Sequence, residues 1–238
     1  MFRFVSLPVF VFALVAPCFC LAQGIDRGKE IVLLDANTPL YLPVPSDLVS
    51  LKGEAPKAFA KKVAEAEGKQ LVLATFVEND YASAARTGKL PAVGHEIDVT
   101  APVGKGSGVV SDDDFDKYIA RLRDKTTKQN VEHGKPVELN KDGHTAAFAE
   151  EGAPEPLVDQ ANAYAFVATR SLTGDGTFML VKIVYALMHV RGRVVFVVGM
   201  STIKTPNDVT WLKSTMTSWI AKTLDSNQLA VPQGNPVN

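Results

Sequence analysis

Residues 163–202 read AYAFVATRSLTGDGTFMLVKIVYALMHVRGRVVFVVGMST, and this stretch decides the fold. It contains three apolar runs rich in β-branched and aromatic residues, at 163–172, 177–190 and 193–202. Short breaks that contain glycine separate the runs at 173–176 and 191–192, which is the pattern of strands joined by tight turns. The stretch therefore predicts a three-stranded antiparallel meander.

Alternation along these strands defines two faces. If the turns set the register, Tyr185 lies opposite Val198 on one side and opposite Tyr164 on the other. We call one face the bulky face, and its residues are Tyr164, Phe166, Val181, Ile183, Tyr185, Leu187, Phe196, Val198 and Met200. We call the other the small-residue face, and its residues are Ala165, Val167, Thr169, Lys182, Val184, Ala186, Val195, Val197, Gly199 and Ser201.

A helix is expected directly after the meander. Thr205 is a suitable N-cap, Pro206 suits the first helical position, and the apolar periodicity continues to about Leu224. Its apolar stripe consists of Trp211, Leu212, Thr215, Met216, Trp219 and Ile220. A broad stripe is typical of a helix that covers a sheet, and we expect it to pack on the bulky face.

Earlier segments supply further elements. Apolar periodicity predicts a helix at 54–67 and a strand at 70–77, and Ser111 with Asp114 forms a capping pair at the start of a second helix. Short extended segments are expected at 31–34 and 40–45, and a hairpin at 137–148. The predicted fold class is α+β, mainly antiparallel sheet with packed helices, and an α/β/α sandwich if the earlier helices cover the small-residue face.

The first twenty-two residues are typical of a signal peptide. Arg3 precedes an apolar run, and Cys20-Leu21-Ala22 ends it with small residues at the positions that signal peptidase reads. A retained membrane anchor is the rival interpretation, but Pro8 and Pro17 interrupt the run. We therefore expect a signal peptide at 1–22, a single domain at 23–224, a disordered tail at 225–238, and a periplasmic or secreted location.

Cleavage after Ala22 would leave a cysteine-free chain, because the two cysteines are Cys18 and Cys20. A disulfide framework and a cysteine-ligated metal are then excluded. The 25 basic residues would lose only Arg3, giving 24 against 26 acidic residues. Near neutrality indicates no nucleic-acid partner. Lys182 and the basic turn at 191–193 divide the longest remaining apolar stretch, so no integral membrane span is expected after cleavage.

Three phrases occur in a recognisable order: VPSDLVSL at 44–51, RGRVVFVVGMS at 191–201 and TPNDVTWLKSTMTSWI at 205–220. With them the chain resembles the Mog1/PsbP-like group of α/β/α sandwiches, which includes exported or lipid-anchored bacterial proteins of the DcrB type. The resemblance covers residues 40–224, although 91–156 does not map easily and no lipobox is present. It implies a non-catalytic binding or assembly role exercised through partners.

Catalytic and metal motifs give little support to an enzyme. The four histidines, His95, His133, His144 and His189, lack zinc-site spacing, and no serine lies in Gly-x-Ser-x-Gly. We therefore predict no metal and no cofactor. The alternative is an envelope hydrolase or metal-dependent enzyme, with residues gathered from loops around His95 and His144. A dispersed triad of His95, Asp98 and a serine, or a composite site of His95 and Glu96, stays open.

Lys182 is the one charge on the small-residue face. An unpaired ammonium there is costly to bury, so Lys182 pairs with an acidic residue of a covering helix, extends to an edge, or meets an anionic group of a ligand. With Thr169 and Ser201 it forms the candidate binding site. The predicted function is non-catalytic binding or assembly in the cell envelope, with an unknown protein or a small molecule as the partner.

We expect the mature protein to begin at Gln23, because Cys20 and Ala22 are small residues at the two positions that the peptidase reads. Intact-mass measurement of the protein purified from the envelope checks this. A mass that retains residues 1–22, or one that carries acyl chains, would contradict it.

Overall fold

A computed structural model describes residues 28–35, 38–88, 94–104, 108–128, 137–141, 144–150, 152–174 and 177–228. The predicted signal peptide, residues 1–22, and the end of the predicted tail, residues 229–238, lie outside these ranges. None of the helices in the described ranges has a stretch long and apolar enough to cross a membrane.

The described residues form a mixed α+β structure with a large antiparallel sheet, which confirms the predicted fold class. The strands are β1 (Lys29–Asp35), β2 (Thr38–Pro43), β3 (Val49–Ser50), β4 (Gln70–Val77), β5 (His95–Pro102), β6 (Val137–Lys141), β7 (His144–Glu150), β8 (Glu155–Gln160), β9 (Ala163–Gly174), β10 (Thr177–Val190) and β11 (Arg193–Thr202). The helices are α1 (Leu51–Glu54), α2 (Pro56–Ala66), α3 (Asn79–Arg86), α4 (Asp112–Lys128) and α5 (Pro206–Gln228).

Nine strands form one sheet in the order β3-β4-β5-β11-β10-β9-β7-β6, and β8 pairs with the other part of the β9 edge. The predicted meander is its centre, as β9, β10 and β11. The strand β5, which the sequence analysis did not predict, pairs with β11 and connects the meander to β4. The hairpin of β1 and β2 is a separate two-stranded sheet.

The predicted register is correct between β10 and β11 and is shifted by two residues between β9 and β10. Tyr185 pairs with Val198 as expected, but its partner in β9 is Phe166 rather than Tyr164. The shift arises because the two strands stay paired up to Gly174 and Thr177, which leaves a shorter loop than the predicted 173–176. A shift of two residues preserves the face of every side chain, so the bulky and small-residue faces are as predicted.

The helix α5 packs on the small-residue face, which corrects the prediction that it would cover the bulky face. Leu212, Met216 and Ile220 are buried in one cluster with Val184 and Val197. A side chain at Gly199 would collide with the Met216 side chain of the helix, since a Cβ there would lie 2.5 Å from Sδ and 2.9 Å from Cγ of Met216. Small side chains let the helix approach the sheet closely, and bulky ones would hold it away.

The earlier helices lie over the bulky face. Phe115 and Ile119 of α4 are buried against Tyr164 and Leu187. At the other end of that face, α1 and α3 pack with Val77 of β4 in a second cluster. Helices therefore cover both faces of the sheet, with the assignment of helices to faces reversed relative to the prediction.

The end of α5 extends to Gln228, beyond the predicted end at Leu224. Asn227 explains the difference, because its buried side chain binds the backbone of β2. Its Oδ1 accepts a hydrogen bond from the Tyr41 amide at 3.0 Å, and its Nδ2 donates to the Tyr41 carbonyl at 2.8 Å. A polar composition at a helix end can thus reflect a buried tertiary contact.

Replacing Gly199 with alanine should lower the free energy of unfolding by about 1–2 kcal/mol. The cost of overpacking a close-packed core exceeds the gain from restricting the unfolded chain. Urea denaturation measures the change. Gly108→Ala is the control, because a Cβ there meets no atom within 4 Å, and its effect should stay within about 0.5 kcal/mol. A Gly199→Ala protein as stable as the wild type would contradict the close packing of the Met216 side chain of α5 on Gly199.

Candidate functional site

Four polar side chains lie side by side across the centre of the sheet. Lys182 of β10 pairs with Thr169 of β9 and with Ser201 of β11, and Ser201 pairs with His95 of β5. Directly paired residues point to the same face of a sheet. The structure thus brings together the three predicted binding residues and adds His95. We call these four residues the polar row; it lies on the small-residue face, beneath α5.

Two polar atoms of this row are buried and have no hydrogen-bond partner among the described residues. They are the hydroxyl oxygen of Ser201, a residue that is 0% exposed, and Nε2 of His95. Leaving such a group without a partner costs about 1–3 kcal/mol. Native structures contain few of these groups, and the two here belong to directly paired residues on adjacent strands.

The other ring nitrogen of His95 is engaged by Glu78, which lies between β4 and α3. Nδ1 of His95 lies 2.7 Å from Oε1 of Glu78. Gly94 leaves room for this carboxylate, because a Cβ at Gly94 would collide with the Glu78 side chain. α3, which begins directly after Glu78, was not predicted from the sequence.

The first turns of α5 cover His95. The Trp211 ring lies 3.9 Å from the imidazole, centroid to centroid, and its Nε1 donates to Asp47 at 3.2 Å. Asp208 lies beside the imidazole, with its Oδ1 3.5 Å from Nε2 of His95. A histidine on β5 is thereby placed between a carboxylate that follows β4 and a carboxylate of α5.

Lys182, at the other end of the polar row, is half-buried. Within the described part of the chain it makes no hydrogen bond or ion pair, so the predicted partner from a covering helix is not seen. Its charge contributes to lowering the pKa of Glu155, a shift caused first by the hydrogen bond from Lys213. Lys213 of α5 binds Glu155 at 2.6 Å, which leaves Lys182 available.

The acidic residues that flank His95 in sequence lie on the opposite face, so neither the triad with Asp98 nor the composite site with Glu96 forms. Instead, Lys62 of α2 binds both carboxylates. Its Nζ donates to Glu96 and lies 2.6 and 2.7 Å from the two oxygens of Asp98. Thr75 donates a further hydrogen bond to Asp98 at 2.7 Å.

Burial and charge shift the pKa values of this second group. Burial first, and then the neighbouring Asp98 carboxylate, raise the pKa of Glu96 against the opposing attraction of Lys62, and the net value is about 7. Burial alone would lower the pKa of Lys62, but attraction to Asp98 and Glu96 outweighs it, so the net shift is upward. Lys62 therefore stays charged while Glu96 accepts a proton readily.

The remaining histidines give no second site. His189 binds the Val110 carbonyl at 2.8 Å and stacks on Phe115, which attaches α4 to the sheet. His133 lies outside the described residues, and so does the side chain of His144. His95 is on a strand rather than in a loop. In the described ranges, no three His, Cys, Asp or Glu side chains are grouped closely enough to hold a metal ion.

No family model matches the chain, and no curated protein matches it either.

Sequence reasoning missed the parts of the site that come from remote segments. Glu78, Asp208 and Trp211 approach His95 only through tertiary packing. A local signal for β5 was present, because polar Glu96 and Asp98 alternate with apolar residues at the strand period of two. Reading that alternation would have placed His95 on the face opposite to Asp98.

Glu96→Gln should flatten the pH dependence of stability. Folded Glu96, with a pKa of about 7, keeps its proton where an unfolded glutamate, with the ordinary value of 4.5, has lost it. The free energy of unfolding of the wild type therefore falls as pH rises between these values. At about 1.36 kcal/mol per pKa unit, the fall is on the order of 2–3 kcal/mol. Glutamine does not titrate, so urea denaturation of the variant between about pH 5 and pH 8 should show little change.

Glu54→Gln is the matched control, because Glu54 is an exposed carboxylate that pairs with Arg86 at 2.9 Å. Its substitution should leave the wild-type pH dependence in place. If the stability of Glu96→Gln still falls as steeply as that of the wild type, another group is responsible.

Proposed function

We propose that this chain is an exported cell-envelope protein with a non-catalytic binding role, and that it binds a small polar ligand at the polar row. The signal-like residues 1–22 support export. The resemblance to the Mog1/PsbP-like group supports a binding or assembly role, and a sheet covered by helices on both faces is compatible with it.

The observation that carries the proposal is a pair of buried atoms that make no hydrogen bond within the described ranges, Ser201 Oγ and His95 Nε2, in one row with Lys182. Leaving buried polar groups without hydrogen bonds costs stability, and natural proteins do so mainly at functional sites. A ligand with polar groups would satisfy all three side chains at once. Each of them comes from a different strand of a rigid sheet, which suits a preorganised site.

The burial of the row favours a small ligand over a protein partner. Ser201 is fully buried, and a protein surface cannot reach a hydroxyl at that depth. A ligand could enter near the start of α5, because the residues of that helix before Leu212 are not fully buried. The preceding turns are attached to the body through Trp211, which contacts His95 and Asp47. A ligand that enters there would have to displace Trp211 from His95.

The Glu78–His95 pair beside Ser201 favours a second candidate, an envelope hydrolase. In that chemistry a histidine oriented by a carboxylate activates a serine nucleophile. Ser201, however, makes no hydrogen bond to His95, whereas a general base has to bond the hydroxyl that it activates. Binding accounts better for this arrangement. Covalent labelling of Ser201 by a fluorophosphonate would reverse that preference.

Ser201→Ala should abolish ligand binding and raise the free energy of unfolding by about 1 kcal/mol, because it removes a buried hydroxyl that has no partner. Thr75→Val is the matched control: that hydroxyl is also fully buried but donates to Asp98 at 2.7 Å, so its loss should lower stability. Urea denaturation gives the stabilities. Melting curves with a panel of carboxylates, phosphates and amino acids detect binding.

Lys182→Met should weaken the same binding, whereas Lys117→Met, which removes an exposed lysine of α4, should leave it unchanged. The proposal fails if no compound raises the melting temperature of the wild type by more than it raises that of Ser201→Ala. A destabilised Ser201→Ala would show instead that the hydroxyl has a partner within the protein.

A further inference from the structure

The His95 end of the polar row lies between two carboxylates, those of Glu78 and Asp208. Nδ1 faces the Glu78 carboxylate at 2.7 Å, and a carboxylate only accepts, so Nδ1 carries the hydrogen. In the neutral imidazole the other nitrogen is then an acceptor. A neutral His95 would thus accept a hydrogen bond at Nε2, the nitrogen that lies 3.5 Å from Oδ1 of Asp208.

Asp208 adds a second acceptor at this end. Its Oδ2 accepts hydrogen bonds from the amides of Lys204 and Thr205, at 2.9 and 2.6 Å, and from the Thr205 hydroxyl at 3.1 Å. These bonds, the Thr205 amide first, hold the pKa of Asp208 below its ordinary value. Oδ1 takes none of the three bonds and lies 3.5 Å from Nε2 of His95. Two acceptors at this separation can both bind one group that has several hydrogens.

The other end of the row donates hydrogen bonds. Ser201 supplies a hydroxyl and Lys182 an ammonium group, and they lie one and two strands from His95. Adjacent strands are about 4.8 Å apart, so the two ends are separated by roughly the length of a small molecule. A hydroxyl and an ammonium group together match a carboxylate.

The geometry points to a small zwitterion, an amino acid, as the ligand. Its ammonium group would bind His95 Nε2 and Asp208 Oδ1, and its carboxylate would bind Ser201 and Lys182. This inference rests on the proposed function. A zwitterion supplies a counter-charge to the anionic Asp208 and to the cationic Lys182 at the same time, which neither an amine nor a carboxylate does alone.

The test compares three series of ligands of matched chain length by isothermal titration of the purified full chain. The first series is ω-amino acids from glycine to 6-aminohexanoate. The second is the corresponding carboxylates without the amine, and the third is the corresponding amines without the carboxylate. At least one amino acid should bind tenfold or more tightly than both of its analogues.

Asp208→Asn tests the ammonium end. Asparagine can still cap the start of α5 but has no charge, so the preference for the amino acid over the carboxylate should shrink tenfold or more. Asp114→Asn is the matched control, since Asp114 accepts a bond from Ser111 at the start of α4, away from the row. That variant should bind like the wild type.

Carboxylates that bind as tightly as the amino acids would overturn the zwitterion and leave the proposed function standing. That result is expected if a doubly protonated His95 donates directly to Asp208. Amines that bind as tightly as the amino acids would exclude a role for Lys182 and Ser201 in holding a carboxylate. If none of the three series binds, the proposal of a zwitterionic ligand is also wrong. The proposed binding function is then tested by the melting curves of the wild type and Ser201→Ala with the wider panel of compounds.

Discussion

The close approach of α5 to the small-residue face is the constraint on which the other layers depend. Gly199 has no side chain where Met216 lies, and the residues around it are valines and alanines. Close packing over such a surface lets the helix bury its apolar stripe fully. The same helix then holds the β1–β2 hairpin, because Trp219 Nε1 donates to the Pro43 carbonyl and Asn227 binds the Tyr41 backbone. Sheet, helix and hairpin thus share one core.

The polar row begins where this apolar contact ends. Gly199 pairs with Val184 and Ile97, and two residues further along the strands Ser201 pairs with Lys182 and His95. The helix that seals the core therefore also covers a row of polar side chains, with Trp211 and Asp208 above His95. A rigid apolar contact next to unpartnered polar atoms suits a binding site, because the core fixes the geometry while the polar atoms keep their bonding capacity for a ligand.

The bulky face depends on electrostatics where it meets α2. That helix has no fully buried residue, so the ion pairs of Lys62 with Glu96 and Asp98 contribute to its attachment. One ammonium group serves two carboxylates, and burial raises the pKa of Glu96 to about 7. The two faces therefore solve the problem of buried polar groups differently. On the bulky face Lys62 binds both carboxylates, whereas on the small-residue face Ser201 Oγ and His95 Nε2 make no hydrogen bond among the described residues.

Local sequence determined much of the fold. Period-two alternation and glycine-containing turns predicted the meander and its two faces, and the hydrogen bond between Ser111 and the Asp114 amide confirms the predicted start of α4. These features depend on neighbours along the chain, and so they can be read from it. The same pattern also placed Lys182, Thr169 and Ser201 on one face, although their direct pairing required the register that the structure shows.

Tertiary structure alone decided which face α5 covers and which acid binds His95. Apolar periodicity shows that a helix will bury a stripe, but the choice between two apolar faces depends on how closely each lets a backbone approach. Glu78, Asp208 and Ser201 meet His95 from three segments separated by long stretches of chain, and no spacing in the sequence records that meeting. Asn227 is a polar residue near the end of the chain, and only its contact with Tyr41 shows that the helix continues there.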